Sequence, residues 1–311
     1  MSRLAALLCT IGLAAGVAGC GIGEGEERGG DGAQVRVTRD FGKVELGSAR
    51  VEAVREDQTV LRLLEANFEV GTSFGGRFVD AIDGLESRGP ESQVDWFYFV
   101  NGVEAEVGAA EFELSPADRV QWDRRDWRVT MRVPAIVGAF PEPFLNGLEG
   151  KRRPVRVECE DSESSACNQA RETLEREGVW TSGSSLGAPG VEEVTRLAVA
   201  RWPAARIVRG AASLEQGPEE NGVFVRVAED GRSIDLLDEY GDVARTVRPG
   251  DGVGLVLAMR PLQEELVWLV TALDEQGLEA GVRALDEGRL RDAFAVAVQD
   301  DRVDKLPLAV Q

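Results

Sequence analysis

Histidine is absent from all 311 residues. Its absence excludes Ser-His-Asp and Cys-His catalysis, histidine-ligated zinc and any histidine pH switch. Positive charge is scarce: 35 Lys and Arg stand against 55 Asp and Glu, for a formal net charge of −20. So acidic a chain is repelled by phosphate backbones and anionic headgroups, and no nucleic acid is expected as a partner. The apolar run from Leu4 to Val17 falls short of the ~20 residues a membrane-spanning helix needs. Cysteine occurs four times, at Cys9, Cys20, Cys159 and Cys167.

The N-terminus has Arg3, a short apolar core and small residues at Val17-Ala18-Gly19 before Cys20. Charge asymmetry, a short apolar segment and a small-residue cleavage site define a secretory signal. The ending resembles the lipobox of bacterial lipoproteins, which implies cleavage after residue 19 and diacylation (a palmitate-type modification) of the Cys20 thiol. The expected location is the extracytoplasmic face of the cell membrane, with the N-terminal lipid as the membrane contact. Two or more acyl chains anchor stably, at ~0.8 kcal/mol per buried methylene. Loss of Arg3 with the signal lowers the net charge to −21.

Cys159 and Cys167 remain, an even pair in an exported chain, and are expected to form a disulfide. The rival reading, a soft-metal or redox pair, lacks further ligands, and acidic neighbours raise thiol pKa values. No metal site is expected elsewhere, because no calcium-loop spacing of oxygens around a glycine occurs. The acidic pairs Glu160-Asp161, Asp238-Glu239 and Asp300-Asp301 read as solvated turns.

Residues 1–19 are thus the signal, and the Gly- and Glu-rich stretch 20–33 reads as a flexible linker. Residues 34–133 are mostly strand-like. Val60, Leu63, Leu64 and Phe68 fall on one helical face. Asp83-Gly84 and Asn101-Gly102 are hairpin signals. One helix among five or six strands predicts a small α+β domain with the helix packed across the sheet.

The series Thr72-Ser73, Gly75-Gly76, Val79, Ile82-Asp83-Gly84, Trp96-x-Tyr98-x-Val100-Asn101-Gly102, Gly108-Ala109 and Asp118-x-Val120-x-Trp122 is similar to the transcobalamin-like C-terminal domain family. The resemblance covers about 100 of the 311 residues. It implies a β-grasp-like fold and an occurrence among bacterial surface lipoproteins. In vertebrate cobalamin carriers this domain closes over cobalamin held against a larger helical domain, which has no counterpart here. On this resemblance Trp96, Tyr98, Asn101 and Trp122 are the candidate ligand-binding residues. Alternation puts Trp96, Tyr98 and Val100 on one face and Phe97 and Phe99 on the other. One face is core, and the other is either a flat-ligand platform or further packing.

Residues 134–153, with Phe140-Pro-Glu-Pro and Lys151-Arg152-Arg153, read as a linker. Residues 154–299 read as a second α+β domain with a mostly antiparallel sheet. Helices are expected over Ser164–Glu177, Val191–Trp202 and from Asp274 to Leu285, and a strand at Ala205–Val208. Gly183-Ser-Ser-Leu-Gly187 matches G-x-S-x-G, but without a histidine base or a following helix it is read as a loop. The chain is expected to have no enzymatic activity and no cofactor. It is expected to bind a small molecule, cobalamin or another corrinoid being the candidate, for delivery to an uptake transporter. The alternative is an envelope module that binds a protein or glycan.

Overall fold

The computed structural model describes residues 27–28, 31–74, 76–189, 193–261 and 265–309. The signal, Cys9 and Cys20 lie outside the described residues. Strands of the first half are β1 (Glu27–Arg28), β2 (Ala33–Arg39), β3 (Val44–Val51) and β4 (Val54–Arg55). Helix α1 (Val60–Glu65) leads to β5 (Val70–Ser73), β6 (Phe78–Ile82) and β7 (Leu85–Glu86). After a turn of helix, α2 (Gly89–Ser92), come β8 (Val94–Val100), β9 (Val103–Glu104) and β10 (Arg119–Asp126). Part of the expected 20–33 linker is ordered by pairing, since β1 runs antiparallel to β4.

The main sheet has the order β3-β2-β10-β8-β9. Its central pair, β2 and β10, is parallel, and the other neighbours are antiparallel. Both hairpin signals act as expected. Asp83-Gly84 and Asn101-Gly102 have positive φ at both positions, joining Ile82 to Leu85 and Val100 to Val103. Thr59 caps α1 by accepting the Arg62 amide at 3.3 Å. Val60, Leu61, Leu63 and Leu64 of α1 then pack with Val35, Val37, Trp96, Tyr98 and Trp122 in one core.

The second half begins with β11 (Val155–Cys159), α3 (Ser165–Arg176), β12 (Thr181–Ser185) and β13 (Thr195–Arg201). Two 3-10 turns and α4 (Pro218–Asn221) precede β14 (Val225–Val227), β15 (Ile234–Leu237) and β16 (Val243–Val247). The chain closes with β17 (Val253–Met259), β18 (Val267–Ala272), α5 (Glu275–Arg283), α6 (Glu287–Leu290), β19 (Ala295–Gln299) and β20 (Arg302–Leu306).

Seven strands form one sheet in the order β12-β11-β13-β18-β17-β19-β20. The first four are mutually parallel, and antiparallel pairing holds only from β18 through β20 and in the separate β14-β15-β16 sheet. The antiparallel expectation therefore fails for half of the large sheet. Two stretches account for this: Gly183–Ser185, read as part of a loop, belongs to the strand β12, and Val191–Trp202, expected as a helix, has the strand β13 as its described core. Leu197 and Val199 face one core, Ala198 and Ala200 the other, so no polar face marks the strand's period. Ala205–Val208, expected as a strand, is mostly a 3-10 turn, Ala204–Ile207. The other helix readings hold: Ser164 caps α3 and Asp274 caps α5 through their side chains. The disulfide joins Cys159, ending β11, to Cys167 in the first turn of α3, with 6.0 Å between Cα atoms.

The stretch 134–153 does not run free between the halves. Ile136, Val137, Phe140 and Phe144 are fully buried, and the rings of Phe140 and Phe144 lie 6.0 and 5.0 Å from that of Trp268. A separate aromatic core spans both halves: Phe41 meets Phe224 at 4.9 Å and Phe294 at 5.3 Å, and Phe99 meets Phe294 at 5.3 Å. The fit requires Gly42, where a Cβ would stand 1.7 Å from the Asp292 carbonyl oxygen. The two sheets thus share a packed seam.

Candidate functional site

The sequence-selected aromatics sit inside the molecule. Trp96 and Tyr98 are 8% exposed, Trp122 2% and Asn101 1%. The Trp96 indole donates to the Leu85 carbonyl at 3.1 Å, and the Tyr98 hydroxyl to the Val107 carbonyl at 2.6 Å. Tyr98 stacks on Trp122 at 4.9 Å, and burial pushes its hydroxyl pKa up. Asn101 uses all of its amide: Nδ2 donates to Asp118 and to the Gly147 carbonyl, and Oδ1 accepts the Arg119 amide, each at 2.9 Å. The opposite face offers no platform either. Phe99 is in the seam, and Phe97 lies 3.8 Å below the fully buried Arg125 guanidinium. The platform idea assumed one wet face of the sheet; α1 covers one side and the second half covers the other.

These residues instead hold up the wall of a neighbouring cleft of about 330 Å³. Val103 to Phe112, anchored by the Tyr98–Val107 hydrogen bond, form one side, while Leu148, Glu149 and Arg260 form the other. The cleft therefore lies between the two halves. Its apolar surface comes from Val100, Val103, Val107, Phe112 and Leu148, and its described lining also carries Glu104, Glu106, Glu111, Glu113 and Glu149 with Arg260 as the one cation. Arg132 approaches Glu104 and Glu106 at 3.9 and 3.8 Å, and Arg77 approaches Glu111 at 3.8 Å. Arg260 is held by Glu106 at 3.0 Å. Glu104 is buried and accepts the Val133 amide at 3.0 Å, with Arg125 at 3.6 Å. Burial raises its pKa, opposed by Arg125, Arg132 and the Val133 amide. Such a lining suits a neutral or cationic molecule with an apolar part. The cue in the sequence was the glutamate-apolar alternation of Val103-Glu-Ala-Glu-Val107; Leu148, Glu149 and Arg260 are joined to it only by the fold.

The other motifs resolve structurally. Gly183 to Ser185 belong to the edge strand β12. Glu160 pairs with Arg201 at 3.0 Å, Asp301 pairs with Arg289 at 3.2 Å, and Asp238 accepts the amides of Tyr240 and Asp242 in a turn. Among the described residues, no group of three or more Cys, Asp or Glu is placed to hold a metal ion.

No curated protein matches this sequence. Among solved structures, a candidate metal-binding protein from Ruminococcus gnavus is similar, at 16% identity and a TM-score of 0.26, over 31% of this chain and 97% of that one. Haptocorrin in complex with Cbi is similar at 14% identity and a TM-score of 0.24, over 30% of this chain and 25% of that one. Residues 57–125, which include α1, the aromatic strand β8 and the acidic wall of the cleft, match the family described as a domain of unknown function (DUF4430).

Proposed function

We propose that the protein is a non-catalytic, small-molecule-binding lipoprotein, tethered through Cys20 at the extracytoplasmic face of the membrane. The observation that carries the reading is the cleft of about 330 Å³ between the matched domain and the rest of the chain, within the size range of small-ligand sites. The strand order β3-β2-β10-β8 with a parallel central pair, and α1 between its two hairpins, supports a β-grasp-like domain. Cobalamin and other corrinoids are the first ligands to test, and the cleft is large enough to receive a projecting group of such a molecule. An uptake transporter is the partner this reading implies.

The test is a thermal-shift and calorimetric titration of the exported protein with cobalamin and cobinamide. Ligand at 100 times Kd stabilises by about 2.7 kcal/mol, a readily measured shift. No shift with any corrinoid removes that ligand class. Acylation is read separately, by palmitate labelling that is lost in Cys20→Ala.

One observation favours a second reading, an envelope interaction module. Phe74 and Phe78 are 81% and 62% exposed and meet edge to face at 5.8 Å on the β5-β6 hairpin. Exposed paired aromatics of this kind are common anchors for a partner surface. Retention of an envelope partner that is lost in a Phe74→Ser, Phe78→Ser variant, with no small-molecule shift, is the outcome that reading requires.

A further inference from the structure

Only three of the 35 basic residues are lysines: Lys43, Lys151 and Lys305. Two of them meet in one cleft, from opposite halves of the chain. This second cleft, of about 650 Å³, is lined by Lys43 from the start of the β3 hairpin arm, Arg245 of β16, and Arg302 and Lys305 of β20, with Asp304 as the one acidic residue in its lining. In a chain of net charge −20, a concavity whose described lining residues include four cations and one anion differs in sign from the protein as a whole.

The two lysines are tied down without being neutralised by contact. Lys305 Nζ donates to the Gly42 carbonyl at 2.7 Å, and Lys43 Nζ to the Leu308 carbonyl at 3.4 Å. These reciprocal bonds stitch the two halves together and leave further ammonium protons of each lysine unused. Among the described residues, no carboxylate oxygen lies within 4.0 Å of either ammonium nitrogen. Glu239, Asp40, Asp123 and Asp238 around Lys43, and Asp292, Asp123 and Glu45 with the opposing Arg291 around Lys305, act from farther off. Burial lowers the pKa of both amines despite them. The arginines are partly committed: Arg302 Nε meets Asp304 at 2.9 Å, and Arg245 donates to Gln299 at 2.8 Å, with Asp304 at 4.0 Å.

We propose that this cleft binds a small polyvalent oxyanion of the phosphate class, held between Lys43 and Lys305 and capped by Arg245 and Arg302. Among the described lining residues four cations face one carboxylate, an arrangement that matches a polyvalent anion better than a monocarboxylate. Lysine supplies point charges and arginine a planar fork, the two modes by which proteins hold phosphate oxygens. The site is separate from the acidic cleft, so the two select ligands of opposite charge, and failure of either leaves the other standing.

The scarcity of lysine makes the test direct. The full-length protein is labelled with 13C-lysine, giving three ε-methylene signals assigned by Lys43→Arg, Lys151→Arg and Lys305→Arg, and titrated with inorganic pyrophosphate. The expected result is a saturable shift of the Lys43 and Lys305 signals with the Lys151 signal unmoved. An Arg245→Ala, Arg302→Ala variant, whose retained fold is read from an unchanged circular dichroism spectrum and melting temperature, weakens the titration by about tenfold or more. All three signals drifting together without saturation, or none moving, overturns the proposal.

Discussion

Arg36 of β2 and Asp292, which precedes β19, are 256 positions apart and form an ion pair of 3.0 Å in the seam between the sheets, with side chains 10% and 4% exposed. Around them, Gln121 donates to the Asp292 carbonyl at 3.1 Å, and Asp123 accepts the amides of Phe41 and Gly42. A buried pair of this kind is costly to break from one side, because the remaining charge keeps its desolvation penalty. Arg36→Ala is expected to lower the unfolding free energy by about 3 kcal/mol. Because the seam unites the halves, urea unfolding of the wild type is expected to be one transition by both tryptophan fluorescence and circular dichroism. Two separated transitions in the wild type would contradict a shared core.

Asn101 is a structural corner. It has φ 51°, and its amide closes three hydrogen bonds linking β8, β10 and the 134–153 stretch. Asn101→Ala is expected to cost about 2–3 kcal/mol through lost bonds and left-handed strain. Asn101→Gly relieves the strain and not the bonds, so its loss is expected to be smaller. Equal loss in the two variants, measured by urea denaturation, would show that the backbone conformation contributes nothing.

The disulfide closes a short loop at the end of β11, with a sequence separation of 8. Chain-entropy reasoning assigns about 2.5 kcal/mol to such a loop. Cys159→Ser with Cys167→Ser is expected to lower stability by that order. A double variant as stable as the wild type would show that the bond does not stabilise the second half.

Asp118 gives a pH dependence of uncommon sign. Burial pushes its carboxyl from 3.8 up to about 6, against hydrogen bonds from Ser115 and Asn101 that pull it down. The folded chain keeps this proton to higher pH than the unfolded chain. Its unfavourable contribution therefore grows as pH rises from about 4 to about 6, reaching on the order of 3 kcal/mol. Asp118→Asn cannot titrate. Between those limits the wild type is expected to lose stability relative to the variant as pH rises; parallel stability profiles would rule this out.

Local structure was legible where a short-range chemical signal exists. Thr59, Ser164 and Asp274 announce helix starts, and Asp83-Gly84 and Asn101-Gly102 announce two-residue hairpins. Patterns failed where burial on both faces erases period. The strand β13, buried from Thr195 to Ala200, passed for a helix, and the buried Gln121, Asp123 and Arg125 on β10 gave no hint of a seam between two halves. The candidate site failed for a related reason. Trp96, Tyr98 and Trp122 have the composition of a binding platform, but their polar groups and faces are directed into the core. Meanwhile Val107, Phe112 and Arg260 become neighbours only in the fold.

The proposed function stands most directly on a corrinoid seated in the acidic cleft. Val107 is 47% exposed on the cleft wall, so Val107→Trp fills the space without entering the core. Titration calorimetry with cobalamin and cobinamide, on wild type and variant, is the most direct measurement. Saturable binding to the wild type is expected, with a loss of about tenfold or more, ~1.4 kcal/mol, in the variant at unchanged thermal stability. Absence of binding to the wild type, or equal affinity in both proteins, would contradict it.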